Sequence, residues 1–265
     1  MMVAPGILAL DFDGVLCDGM REYFESSRRS CERVWPEGRT SRDLFPAFQR
    51  LRPVIKTGWE MPVLLRALAL GQPEARLHND WDAARDELLA RDPRGHDALG
   101  KLLEQTLDQV RRDWIEADRA DWLSHNRLYC DVADVRRVVR GPERTPVVTT
   151  KEGQFCRWLL DHWAIQVADI QGKEAGTHKC DNLRALRAKY EAETGKKLTL
   201  WFVEDRLKTL QCVQTHPDLD DVGLFLAEWG YVTETAKAEV RGGRGIKLLT
   251  LAEFTASFSD WGAGG

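Results

Sequence analysis

The stretch that most constrains this chain is Ile7 to Asp18, ILALDFDGVLCD. Four apolar residues run straight into two aspartates one residue apart and then a glycine. This is the pattern of a strand buried in a parallel sheet, whose C-terminal end is where such sheets carry their chemistry. Asp11 and Asp13 are therefore expected at a site edge, and Gly14 permits the sharp exit from the strand. The plainer alternative is an acidic turn capping a helix, and the pieces downstream weigh against it.

Beyond Asp18 the apolar period changes from strand to helix, with Tyr23, Phe24, Ser27, Cys31, Val34 and Trp35 on one face until Pro36 and Gly38 end it. Further helices are predicted over 41–51, 60–70 and 81–90. A long one carries Leu99, Leu102, Leu103, Thr106, Val110, Trp114 and Ala117, and no strand is expected before Tyr129. From there strand and helix alternate: helix 132–139, strand 146–149, helix 152–163, strand 167–170, helix 180–193, strand 198–203, helix 207–215 and strand 222–226. A tail follows, Ile246 to Leu251 and a last helix ending at Trp261, which is expected to pack on the core, and Gly262 to Gly265 are expected to fray. Such alternation specifies an α/β fold, a Rossmann-like parallel sheet covered by helices. The predicted organisation is an interrupted core, 1–17 and 130–265, with an all-helical insert over 18–129.

Four signals each fall at the end of a predicted core strand. The first is Asp11 with Asp13. The second is Val147 to Lys151, VVTTK, where Thr149 and Thr150 precede a helix whose N-terminal N–H groups suit a phosphate, although simple capping by Thr149 is the alternative. The third is a lysine near the next helix, Lys173 or Lys179. The fourth is Trp201 to Asp205, WFVED, delivering Glu204 and Asp205 as oxygen ligands for a hard cation.

DFDGVLCD, VVTT, a downstream lysine and VED resemble the four motifs of the haloacid dehalogenase superfamily, in its phosphatase branch. The position of the insert is similar to that of the helical cap in phosphoglycolate-phosphatase-like members. The resemblance implies a Mg²⁺-dependent phosphatase acting on a small phosphorylated metabolite through an aspartyl-phosphate. Asp11 would be nucleophile and Asp13 general acid and base. Thr149, Thr150 and a lysine would hold the phosphoryl group, and Lys179, opening KCDNL, fits the motif better than Lys173. Asp11, Asp13, Asp205 and Glu204 would hold the metal. Many relatives place a further acid four residues beyond the last motif; here that position is Thr209, so the metal leans on Glu204 and Asp205.

Substrate discrimination is expected from the insert, where Arg52, Lys56 and Trp59 lie in a segment, 52–62, punctuated by Pro53, Gly58 and Pro62; a plain helix connection is the alternative. A net charge of −4 gives no basic field for nucleic acid. No run approaches the roughly 20 apolar residues that span a bilayer. Six cysteines without a CxxC pair suggest neither a zinc spacing nor a disulfide framework, and a reducing cytoplasm fits. The rival readings are a phosphosugar mutase of the same branch and a binding protein that keeps the fold without catalysis.

Overall fold

The computed structural model describes residues 4–38, 40–176 and 178–261, so the expected fraying of 262–265 lies outside the described residues. The chain divides into two compact units, residues 1–18 with 127–265, and Gly19–Asn126.

The first unit is built on six parallel strands in the order β5-β4-β1-β6-β7-β8. They are β1 (Ile7–Leu10), β4 (Pro146–Val148), β5 (Asp169–Gln171), β6 (Leu200–Glu204), β7 (Gly223–Ala227) and β8 (Ile246–Leu249). β1 is fully buried at all four residues, which is why its sequence runs apolar rather than alternating. From β1 the sheet grows outward through β4 and β5, then returns to the other side of β1 at β6. Neighbouring strands whose connections leave in opposite directions open a crevice at their C-terminal ends, and β1 and β6 form that switch point.

A two-residue antiparallel ladder, β2 (Cys17–Asp18) with β3 (Arg127–Leu128), closes the unit where the chain leaves and re-enters it. This corrects the expectation of no strand before Tyr129; two residues are too short to show a period. The ladder also ties Asp18 and residues 127–129 to the sheet-bearing unit. The connecting helices are α7 (Val132–Arg140), α8 (Gly153–His162), α9 (Lys179–Thr194), α10 (Leu207–Gln214), α11 (Glu234–Gly242) and α12 (Leu251–Phe254). α11 escapes the sequence pattern because only Val240 of it is buried. The expected last helix is α12, closed by a capping box at Thr250 and Glu253, followed by a separate 3₁₀ turn at Phe258–Asp260. Trp261 is fully buried there against Trp201, Phe225 and Phe254, so the tail packs on the sheet.

The second unit is all helix among its described residues. It comprises α1 (Met20–Val34), α2 (Phe45–Leu51), α3 (Glu60–Ala69), α4 (Glu74–Asn79), α5 (Trp81–Ala90) and α6 (His96–Ser124), the last interrupted at Asp118. The six-residue α4 buries only Leu77 and leaves too little periodicity to predict. α1 packs on both α3 and α6. Among the described residues no helix is long and apolar enough to cross a membrane.

Candidate active site

The register of β1 against β6 pairs Leu10 with Val203, and the Asp11 N–H donates to the Val203 carbonyl at 2.9 Å. The next residues of each strand therefore meet. Asp11, Glu204 and Asp205 are all buried, and each offers a carboxylate oxygen within 4.8 Å of those of the other two. Lys179, at the start of α9, reaches into this group, with Nζ 2.7 Å from Asp11 Oδ2 and 2.5 Å from Glu204 Oε2. The Phe12 N–H donates to Asp11 Oδ1 at 2.7 Å, so both oxygens of Asp11 are held.

Burial, and then the Glu204 charge, push the Asp11 carboxyl up to about 8 against the pull of Lys179. Burial also raises Glu204, with Lys179 opposing and Asp205 adding to the rise. Burial alone would lower Lys179; the adjacent Asp11 and Glu204 outweigh it and hold the ammonium charged. Lys179 thus pairs with two of the three clustered acids. The donors are carboxylate oxygens without sulfur or imidazole, a set that suits a hard divalent ion such as Mg²⁺.

Backbone closes around the acids from two further loops. Gly14 has φ +85°, and a Cβ there would stand 1.8 Å from Asp205 Oδ2, so only glycine fits. Gly230, after β7, also packs too closely for a side chain: a Cβ would lie 2.4 Å from the Gly14 carbonyl oxygen and 2.5 Å from the Asp205 Cβ. The following Tyr231 N–H donates to Asp205 Oδ2 at 2.8 Å, and Trp229 Nε1 donates to the Val15 carbonyl at 3.0 Å. Tyr231 Oη also hydrogen-bonds Asp18 at 3.3 Å, and Arg127 holds the same carboxylate at 2.7 Å.

Asp13 is half-buried beside this cluster and pairs with Lys151, whose Nζ lies 3.1 Å and 3.3 Å from its two oxygens. From the sequence, Lys151 of VVTTK is assigned no role; its adjacency to Thr149 and Thr150 was the available signal. The Trp229-Gly230-Tyr231 loop was missed outright, marked only by a glycine just past an apolar strand.

Thr149 is buried at the end of β4, and its Oγ1 accepts from the Lys151 N–H at 3.1 Å; Thr150 is exposed. The Gly153 N–H that opens α8 is taken by the Glu174 carboxylate at 3.1 Å, so this N–H is already met within the protein. Of the two candidate lysines, Lys179 lies among the acids. Lys173 is half-buried in a 3₁₀ turn, its N–H bonded to the Lys151 carbonyl. Thr209 sits in α10, its N–H on the Arg206 carbonyl.

In the helical unit the three specificity candidates are knitted into their own surroundings. The Arg52 guanidinium lies 5.1 Å from the Tyr23 ring centroid. Lys56 pairs with Asp82, and its N–H donates to Glu60 at 2.8 Å. Trp59 is half-buried, next to Gly100.

No family model matches the chain, and no curated protein matches it. Solved structures do match in fold. A predicted phosphatase from Clostridium acetobutylicum is 13% identical, with a TM-score of 0.57 over 95% of this chain and 96% of that one. A haloacid dehalogenase-like hydrolase from Streptococcus pneumoniae is 10% identical, with a TM-score of 0.54 over 93% and 94%. The Mycobacterium tuberculosis protein tyrosine kinase A is 19% identical, with a TM-score of 0.52 over 87% of each chain. At these identities the likeness is one of fold, and proteins described as different enzymes share it.

Proposed function

We propose that this chain is a Mg²⁺-dependent phosphatase that hydrolyses a small phosphorylated metabolite through a phosphorylated Asp11. The observation that carries the reading is the cluster of Asp11, Glu204 and Asp205, with Lys179 on the first two, at the switch point of the sheet. The description of a fold neighbour as a phosphatase supports the same reaction class.

The residues divide the work as follows. Asp11 attacks phosphorus as the bond to the alcohol oxygen breaks, and the donors on its two oxygens, Phe12 N–H and Lys179 Nζ, fix its orientation. Asp13 gives its proton to the departing oxygen. It then takes a proton from the water that attacks the phosphorylated Asp11, which releases phosphate and restores the carboxylate. Lys151, on both oxygens of Asp13, positions that acid. Thr149, Thr150 and Lys179 are assigned to the phosphoryl oxygens. Asp11, Asp205 and the Asp13 carbonyl would hold Mg²⁺, with Glu204 supporting through water. When bound, the ion neutralises the carboxylates and the incoming phosphoryl charge. Discrimination between substrates is assigned to the helical unit, with Arg52, Lys56 and Trp59 as candidates.

The test is phosphate release from an aryl phosphate and a panel of phosphorylated metabolites, with Mg²⁺ and with EDTA. Release that depends on Mg²⁺ is expected. Full activity in chelator would remove the metal from the mechanism, and silence on every phosphoester would favour a binding protein that keeps the fold. Phosphoryl transfer to a second sugar hydroxyl instead of water would make the enzyme a mutase.

A further inference from the structure

The chain lacks any local cysteine pair of metal-binding spacing, yet the fold assembles one from separate helices. Cys180 is the second residue of α9, Cys212 lies in the last turn of α10, and His216 follows four residues later, just past the helix end. The two helices share one apolar cluster through Leu183, Leu186, Leu207, Leu210 and Val213. That packing brings the Cys180 and Cys212 sulfurs to 3.8 Å. One ligand atom from each of Cys180, Cys212 and His216 lies within 4.8 Å of the other two.

We propose that Cys180, Cys212 and His216 form a binding site for a borderline-soft divalent ion of the zinc class, distinct in its residues from the carboxylate site. Metal–sulfur bonds of about 2.3 Å at a tetrahedral angle put two sulfurs roughly 3.8 Å apart, the separation already present here. Two thiolates and an imidazole select zinc-class ions over Mg²⁺, the reverse of the preference of the oxygen donors at Asp11, Glu204 and Asp205. Two thiolates also neutralise a dication, their protons being released as the metal binds. Access is open: Cys180 is buried, but Cys212 is exposed and His216 half-buried, so an ion enters from solvent and keeps its fourth position toward water. The imidazole closes on the sulfurs by a side-chain rotation at this wet edge. A disulfide would need the sulfurs about 1.8 Å closer.

The test is titration of the whole, reduced, chelator-stripped protein with Cd²⁺ and Zn²⁺ in excess Mg²⁺, so that the hard ion competes for the carboxylates. One Cd²⁺ per chain is expected, with the ultraviolet thiolate-to-cadmium band that carboxylates cannot give. Cys212→Ser, at an exposed position that tolerates the change, is expected to lose at least half of that band. His216→Ala is expected to keep the band at saturation while weakening Zn²⁺ binding about tenfold or more. Cys130→Ser, in another part of the unit, is expected to change neither. No thiolate band in the wild type, or a band undiminished in Cys212→Ser, overturns the site. Peptide mapping that finds Cys180 joined to Cys212 as a disulfide after metal loading overturns it as well.

Discussion

Both units bury charge, and they do so differently. In the helical unit each buried acid has a guanidinium of its own. Glu22, fully buried, accepts from Arg111 Nε at 2.7 Å and from the Ser26 hydroxyl at 2.6 Å. Glu60 accepts from Arg85 at 2.9 Å and from Trp81 Nε1 at 3.0 Å. In the sheet-bearing unit three acids cluster, and one lysine pairs with two of them. The first arrangement is complete as folded; the second gathers three carboxylates around one ammonium, a donor set that suits a hard cation. Paired charge of the first kind belongs to structure, whereas clustered charge at a strand edge marks a candidate site.

Two substitutions break this comparison most directly. Asp11→Asn is expected to bring turnover to background while leaving thermal stability in chelator unchanged or higher, because it removes one of three mutually repelling acids. Near wild-type turnover would take Asp11 out of the mechanism. In the helical unit Arg111→Ala strands Glu22 in the interior and is expected to cost about 3–5 kcal/mol in urea unfolding, whereas replacing Glu22 and Arg111 together by Leu and Met recovers most of it. A loss below about 1 kcal/mol for Arg111→Ala would mean that the cluster is not held by its charges.

The central strands β1, β4, β6 and β7 were legible because buried strands leave apolar runs, and the acids at the ends of β1 and β6 stand in the same stretches of sequence; β8, with Lys247 exposed in it, was not read as a strand. Elements with little buried surface were not. The β2–β3 ladder has two residues a side, and α4 and α11 each bury one apolar residue. In the site, Asp11, Asp13, Glu204 and Asp205 could be read from their strands. Lys151 on Asp13, Tyr231 on Asp205, and the meeting of Cys180 with Cys212 depend on side chains or loops converging over tens of residues. No local spacing encodes such pairings.

A smaller effect is expected where the helical unit serves the reaction rather than its own stability. The groups proposed for the phosphoryl oxygens would touch only what every monoester shares, so discrimination would require residues that reach the rest of the substrate. Arg52→Ala and Trp59→Ala are each expected to lower kcat/KM for the best metabolite about tenfold, with hydrolysis of a small aryl phosphate changed much less. Lys56→Ala is expected to do less, because Lys56 is paired with Asp82. An equal loss on both substrates would make Arg52 and Trp59 structural, like Glu22 and Arg111.

The finest distinction between the two units is the sign of their response to pH. The folded state raises Asp11 from 3.8 to about 8, so its contribution is fully present below pH 4 and is lost as pH rises through 8. Glu25 in α1 is the opposite case: burial raises it, but hydrogen bonds from Arg28 and Arg29 prevail and lower it from 4.5 to about 2. Its contribution is present above pH 4.5 and is lost as pH falls through 2. Unfolding in chelator across this range therefore separates the two. Asp11→Asn should gain on the wild type progressively from pH 4 to above 8, by on the order of 1–3 kcal/mol, and added Mg²⁺ should remove the gain. Glu25→Gln should lose about 1 kcal/mol at neutral pH, and that deficit should close as the pH approaches 2. If the two variants instead shift in the same direction with pH, the contrast between paired and clustered charge does not hold.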